Sequence, residues 1–553
     1  MTDWEDREVL RGETRVAAEA VAETTQAIGV GGYGVLHVHF TVAGPRGQLS
    51  EARTNCGLLP PPGRMRGQDP GSLFGLCFTN LHLAAWTGVR WERRDMVWAA
   101  VEPEKGRFNW SEWHRVVEDC AKAGIEVMPI LDYCAPWASP LGEEADRRRE
   151  YSCPRLEEWR GYVTAVVARY RGRVKAWEVW SEPGLLFGCG SPQEYLGLLK
   201  TAYEAAKRAD PSCTMVGPGG GPLPLLEEVL KTGAWEYMDA VPVHPYAWYD
   251  TLESAQFLGV IAAADDLMVR HGGRKPIWLT EFGWSASDLE PESAARDEVL
   301  SERLQAAYVV RSYVIAASHP ALKKAFWFLH RHPSRSLAES VDSGEGLFHP
   351  DGTLKPSALA YRTMVDMLDG AQYVKGDEHD GLWVRTFSAS PRGPKGGRRL
   401  VSVLWSATGE RLLVCRGRRT VIRARDLMGN PCEAPLSKDR RLIALTEVPI
   451  YLEGPPPVIG DSVFSVSEED VFVSPGHPGR LVVRVRAPLN GPVRGRLAAE
   501  PLPGLTADPG EASISLTTDG VLSTADPRAR LAPWGAGALR LTLRAGRGFA
   551  SRP

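Results

Sequence analysis

A chain of 553 residues is too long for one core; at about 150 residues per domain it divides into three or four domains, or one large barrel with smaller modules. Its 43% hydrophobic and 24% charged residues exclude wholesale disorder and a collagen-like repeat. Lys+Arg 65 against Asp+Glu 68 leave a net charge of −3, so no general electrostatic pull toward nucleic acid or an anionic membrane is expected.

The first residues, MTDWEDREVL, are acidic and polar, unlike a signal peptide. No run of about 18 apolar residues offers a membrane span. As the chain begins, the expectation is a cytoplasmic protein, or a secreted one if the reading frame is incomplete and its abrupt N-terminus is truncated. Residues 14–27 fit a helix or a β-edge equally. Gly29, Gly31 and Gly34 have dinucleotide-loop spacing, yet the alternating run 32–44 (GYGVLHVHFTVAG) predicts a strand where that motif requires a helix. His37 and His39 share one face of that strand, with no third metal ligand evident. Residues 1–62 thus form an N-terminal β segment, and 57–72 (GLLPPPGRMRGQDPGS) is dense in Pro and Gly, the texture of a linker.

From 73 to 370, short apolar runs alternate with helical patterns. Eight strand candidates fall at 73–78, 88–94, 126–133, 174–180, 214–218, 239–246, 276–282 and 324–330. Helices between them carry end signals: Gly124 closes one, Ser191 caps another, and Pro211 follows its end. Eight such units predict a (β/α)8 TIM barrel. After Gly370 alternation returns, predicting a β-sandwich over 371–456 and a second, incomplete sandwich over 458–553. The nine cysteines are scattered without a C-x-x-C pair, which fits small buried side chains in a mostly reduced protein.

Chemistry on such a barrel belongs at the C-terminal ends of the strands. Those ends present Arg93, Asp132 and Tyr133, Ser181 and Glu182, His244 and Tyr246, Glu281, and Trp327. Asn80, His82, His330 and His332 lie nearby, and Arg331 is a cation that would suit a uronic acid. A single strand-end Glu is more often a surface charge or a cap. Two of them, each among aromatics in WEVWSEP and WLTEFGW, are the equipment of glycosidic bond cleavage, one protonated and one ionised. Fourteen of the 18 tryptophans fall between 73 and 370. Trp137, Trp180, Trp284 and Trp327, at strand ends, are placed to stack on the apolar face of a sugar.

The series VKAWEVWSEP, DAVPVHPY, PIWLTEFGW, FWFLH and GLFHPDGTLKPSALAYR resembles the retaining glycoside hydrolases of clan A, most closely glycoside hydrolase family 39 and its β-xylosidase-like relatives. GVRWERRDMVWAAVEPEKGRFNW and IEVMPILDYCAPWAS resemble that family's second and third strands, so the likeness covers roughly 73–365. It implies Glu182 as acid/base, Glu281 as nucleophile, and Arg93 as support for the nucleophile's charge, with Arg90 and Arg94 as neighbouring alternatives. His244 and Tyr246 would orient the sugar and the nucleophile, and Trp327 would floor the reactive sugar. The clan has Asn before its acid/base; this chain has Ser181, which is shorter and lacks the amide's paired donor and acceptor. The expected activity is double displacement at a β-glycosidic bond, as in a β-xylosidase or β-galactosidase or in endo action on a polysaccharide, with carboxyls roughly 5–5.5 Å apart. The alternatives are a non-catalytic carbohydrate-binding protein on a degenerate barrel and a transglycosylase. No cofactor or metal is required, and the expected partner is an oligo- or polysaccharide, not nucleic acid.

Overall fold

In the computed structural model the described residues are 2–3, 11, 32–45, 47–59, 67–184, 188–220, 223–247, 252–253, 255–286, 300–331, 344–379, 381–389, 398–408, 411–416, 423–432, 436–437, 440–454 and the strand segments between 458 and 545. The 14–27 segment, Gly29, Gly31 and His332, and the side chain of His82, lie outside them. The chain forms two compact units. One comprises 1–376 with 387–399 and 427–430, the other 377–386, 400–426 and 431–553.

Eight parallel strands build the first unit: β1 (Phe74–Cys77), β2 (Trp91–Val97), β3 (Glu126–Asp132), β4 (Ala176–Val179), β5 (Thr214–Val216), β6 (Val241–Val243), β7 (Ile277–Phe282) and β8 (Leu322–Trp327). They pair in chain order, β8 pairs with β1, and a parallel bridge between Val216 and Ala240 joins β5 to β6 and closes the barrel. Strands with helices on the outer face and the barrel interior on the other read as continuous apolar runs, and β1, β3, β4 and β6 are buried at every position. Cys77, Trp91, Met128, Ala176, Val216, Ala240, Trp278 and Phe326 pack together as a barrel core, with Phe78 and Phe328 against it.

The helix ends follow their sequence signals. Ser191 and Glu194 form a reciprocal capping box with Pro192 in the first turn, and Asp210 ends that helix before Pro211. Gly124 closes Ser111–Ala123 in the left-handed conformation, φ 71°. A hairpin, Gly34–Gly44 with Gly47–Leu58, belongs to the same unit as the barrel. A strand, not a helix, therefore follows Gly34. His37 hydrogen-bonds Asn55 and His39 pairs with Glu51 across this hairpin.

After the barrel in the chain, a five-stranded sheet runs in the order Gln372–His379, Leu382–Ala389, Arg399–Ser406, Ile450–Glu453, Arg423–Arg425. A four-stranded sheet contains Arg440–Leu445 and Arg411–Arg416. Leu382, Val384, Leu404, Ala424 and Leu452 of the first meet Ile443 and Leu445 of the second, which makes a sandwich core. Further antiparallel strands occur from Phe464–Val466 to Ala536–Ala545.

Candidate active site

The strand ends converge at one mouth. β4 ends at Val179, and the next residues turn sharply: Trp180 has φ 65° and Glu182 φ 43°. Phe78 after β1 (φ 52°) and Tyr133 after β3 (φ 54°) share this left-handed backbone. Such conformations cost roughly 1–3 kcal/mol each and persist where surrounding contacts fix them. Here the Glu182 N–H donates to Gly219 O at 2.5 Å. The β5 loop can come that close only because it is glycine. A Cβ on Gly219 would lie 1.8 Å from Trp180 O, and one on Gly220 (φ 68°) 2.3 Å from His244 Nε2.

Arg93 is fully buried on β2. Its Nη1 donates to Glu281 Oε1 at 2.5 Å, its Nε to Glu178 Oε2 at 2.5 Å, and its Nη2 to Ser181 Oγ at 3.3 Å. Arg90 instead pairs with Asp369 and Arg94 with Glu92, so Arg93 is the arginine that reaches the glutamate. Tyr246 Oη donates to the other oxygen of Glu281 at 3.1 Å. His244 spans Glu182 Oε1 (2.9 Å from Nδ1) and Thr280 Oγ1 (3.0 Å from Nε2). Burial disfavours ionisation of Glu281, but His244, Arg93 and the Tyr246 hydroxyl outweigh it and hold its carboxyl below the usual range. One oxygen each of Glu182 and Glu281, with a nitrogen of His244, lie within 4.8 Å of one another.

Replacing Tyr246 with Phe removes one donor from the ionised form of Glu281 and raises its pKa. The acid limb of the kcat/KM profile is therefore expected to move to higher pH, which a pH series on an aryl glycoside reads directly.

Several expected sugar contacts are corrected. Asp132 is fully buried beside Asp95 of β2; burial first, then Asp95, pushes its carboxyl well above the usual range, and it offers no surface to a ligand. Trp180, Trp284 and Trp327 are each less than 2% exposed and face other rings: Trp180 meets Tyr133 and Trp159, and Trp284 meets Trp327 at 5.9 Å. Their indoles are tethered within the protein, Trp284 Nε1 to Ala247 O and Trp327 Nε1 to Glu345 O. They support the wall and offer no face to a ligand. Trp137 is half-buried, with Nε1 donating to Glu102 O. Phe78, Tyr133, Tyr246 and Phe328 also keep partly exposed surface here, and Phe328 meets both Phe78 and Tyr246 edge-on. Asn80 is half-buried and Arg331 exposed. His330 is fully buried under Phe348, and burial lowers its pKa to about 3, which keeps it neutral. Glu178, Thr280, Gly219, Gly220, Phe78 and Phe328 complete the site beyond the residues singled out from the sequence.

Residues 205–361 match the family model described as the glycosyl hydrolase catalytic core. A family 39 glycoside hydrolase from the gut symbiont Bacteroides cellulosilyticus WH2 superposes with a TM-score of 0.60 at 20% identity, covering 77% of this chain and 89% of its own. A family 39 β-xylosidase from Caulobacter crescentus aligns at 16% identity and a TM-score of 0.47, over 71% of this chain and 98% of its own. The first of these likenesses establishes the fold: a TIM barrel with an accessory β domain. Among the described residues no helix is long and apolar enough to cross a membrane.

Proposed function

We propose that this chain, whose residues 205–361 match the glycosyl hydrolase catalytic core and whose barrel superposes on a family 39 glycoside hydrolase, is a retaining β-glycosidase that works by double displacement, with Glu281 as nucleophile and Glu182 as acid/base. The observation that carries this reading is the approach of the two carboxylates to within 4.8 Å. Retaining enzymes hold theirs roughly 5–5.5 Å apart, whereas inverting enzymes need roughly 6.5–9.5 Å to admit a water.

The surroundings divide the labour. Arg93 and Tyr246 each satisfy one oxygen of Glu281 and keep it ionised for attack on the anomeric carbon. His244 bridges Glu182 Oε1 and Thr280 Oγ1 and so fixes the Glu182 carboxyl beside Glu281, where its acid form would protonate the leaving oxygen. After departure, Glu182 deprotonates the water that releases the sugar. Phe328 and Tyr246 supply partly exposed aromatic surface beside the reacting carboxyls, and Ser181 and Tyr133 line the adjoining strand ends. The substrate class is an oligo- or polysaccharide with a β-linked pyranose, such as a xyloside or galactoside.

Two measurements bear on this. A panel of aryl β-glycosides followed by proton NMR should show the first-formed sugar with β configuration; α product would exclude the double displacement. Arg93→Lys should lower kcat/KM by roughly 10²-fold, since an ammonium cannot span Glu178 and Glu281 together, and activity near wild type would remove Arg93 from the account.

A further inference from the structure

The loops after β3 and β4 bring three thiols close together, although Cys153 and Cys189 lie 36 positions apart in the chain. The β4 loop starts at Glu182 and leads to Cys189, which has φ 70° and is buried. Its N–H donates to Tyr151 O at 2.9 Å, and neighbouring Gly188 lies so near that a Cβ there would be 2.0 Å from the same oxygen. Cys153, two residues beyond Tyr151, donates its Sγ–H to Cys189 O at 2.8 Å, which places its sulfur against the backbone of Cys189. Cys134, buried at the start of the β3 loop, directs its Sγ–H to Ala135 O. Among the described residues the three sulfurs do not converge as a metal-ligand trio; the one trio that does is Glu182, His244 and Glu281.

We propose that Cys153 and Cys189 are a site of oxidation to a disulfide that ties the loop leaving Glu182 to the loop leaving β3. The oxidant is a low-molecular-weight disulfide such as glutathione disulfide. The thiolate of half-buried Cys153 attacks one of its sulfurs and expels one glutathione thiolate. The Cys189 thiolate then attacks the Cys153 sulfur of that mixed disulfide and expels the second. The protein pair loses two electrons and two protons, and the two glutathione thiolates end as thiols carrying those protons. Cys189 reacts second because burial pushes its thiol pKa up and closes it to solvent. The link would constrain the unfolded chain over the 36-residue separation, so oxidation raises Tm by a few degrees.

The test equilibrates the full chain with glutathione disulfide or with dithiothreitol, blocks free thiols, and maps peptides without reduction. The expected result is a Cys153–Cys189 peptide pair, two hydrogens lighter than the two thiols, in the oxidised sample only. Cys134→Ser should retain the pair and Cys153→Ser should lose it, and the oxidised wild type should melt a few degrees above the reduced. Cys153 unlinked, held as a glutathione adduct, or joined to Cys134 in the oxidised wild type would overturn the proposal. So would equal melting temperatures with the link in place.

Discussion

Glu281→Ala should lower kcat by at least roughly 10⁴-fold on every substrate, with the fold intact, because no second group stands at the anomeric carbon to form the covalent intermediate. The loss leaves Arg93 paired with Glu178 alone, and Tyr246 without its carboxylate acceptor. A small anion that enters the vacated volume can do the nucleophile's work from the same face. Azide is therefore expected to restore turnover of an activated aryl glycoside and to give the α-glycosyl azide, which NMR of the product identifies. Turnover near wild type without azide would remove Glu281 from the mechanism.

Glu182→Gln should behave differently, and the difference separates the two carboxyls. A leaving group that needs a proton, such as a sugar, loses general acid catalysis, and kcat/KM falls by roughly 10²–10⁴-fold. A dinitrophenyl glycoside needs no proton, so its glycosylation step is nearly unchanged. Its overall kcat still drops, because water attacks the intermediate without a base. Azide should accelerate that second step and give the β-glycosyl azide, opposite in configuration to the Glu281→Ala product. Equal losses on both leaving groups would contradict the acid/base role.

Most of the strands were legible because strands covered on both faces are largely apolar and alternate with helical patterns. The position of the last was less so. The run 324–330 suggested itself, whereas β8 is Leu322–Trp327. At a strand end, one position exchanges the two faces, which is why the ring that keeps exposed surface is Phe328 and Trp327 is buried. The concentration of tryptophan in the barrel likewise reflects packing, since Trp91, Trp98, Trp159, Trp177, Trp180, Trp284 and Trp327 are all fully buried. Glu182 and Glu281 stood out because each sits at a strand end among aromatics. Glu178 did not, since its role depends on Arg93, 85 residues away, and no local pattern records that pairing. The glycines at 219 and 220 were visible as a run, but their need comes from the contacts with Trp180 O and the His244 ring, which only the closed barrel creates.

The central claim is that Glu281 becomes glycosylated during turnover. An aryl 2-deoxy-2-fluoro-β-glycoside, of the sugar whose aryl glycoside the protein hydrolyses, slows release of the intermediate and allows it to be weighed. The expected result is one fluoroglycosyl group per chain, on the peptide containing Glu281 and absent in Glu281→Ala. The same label on Glu182 would contradict the account, as would rapid hydrolysis of the parent glycoside with inversion and no label.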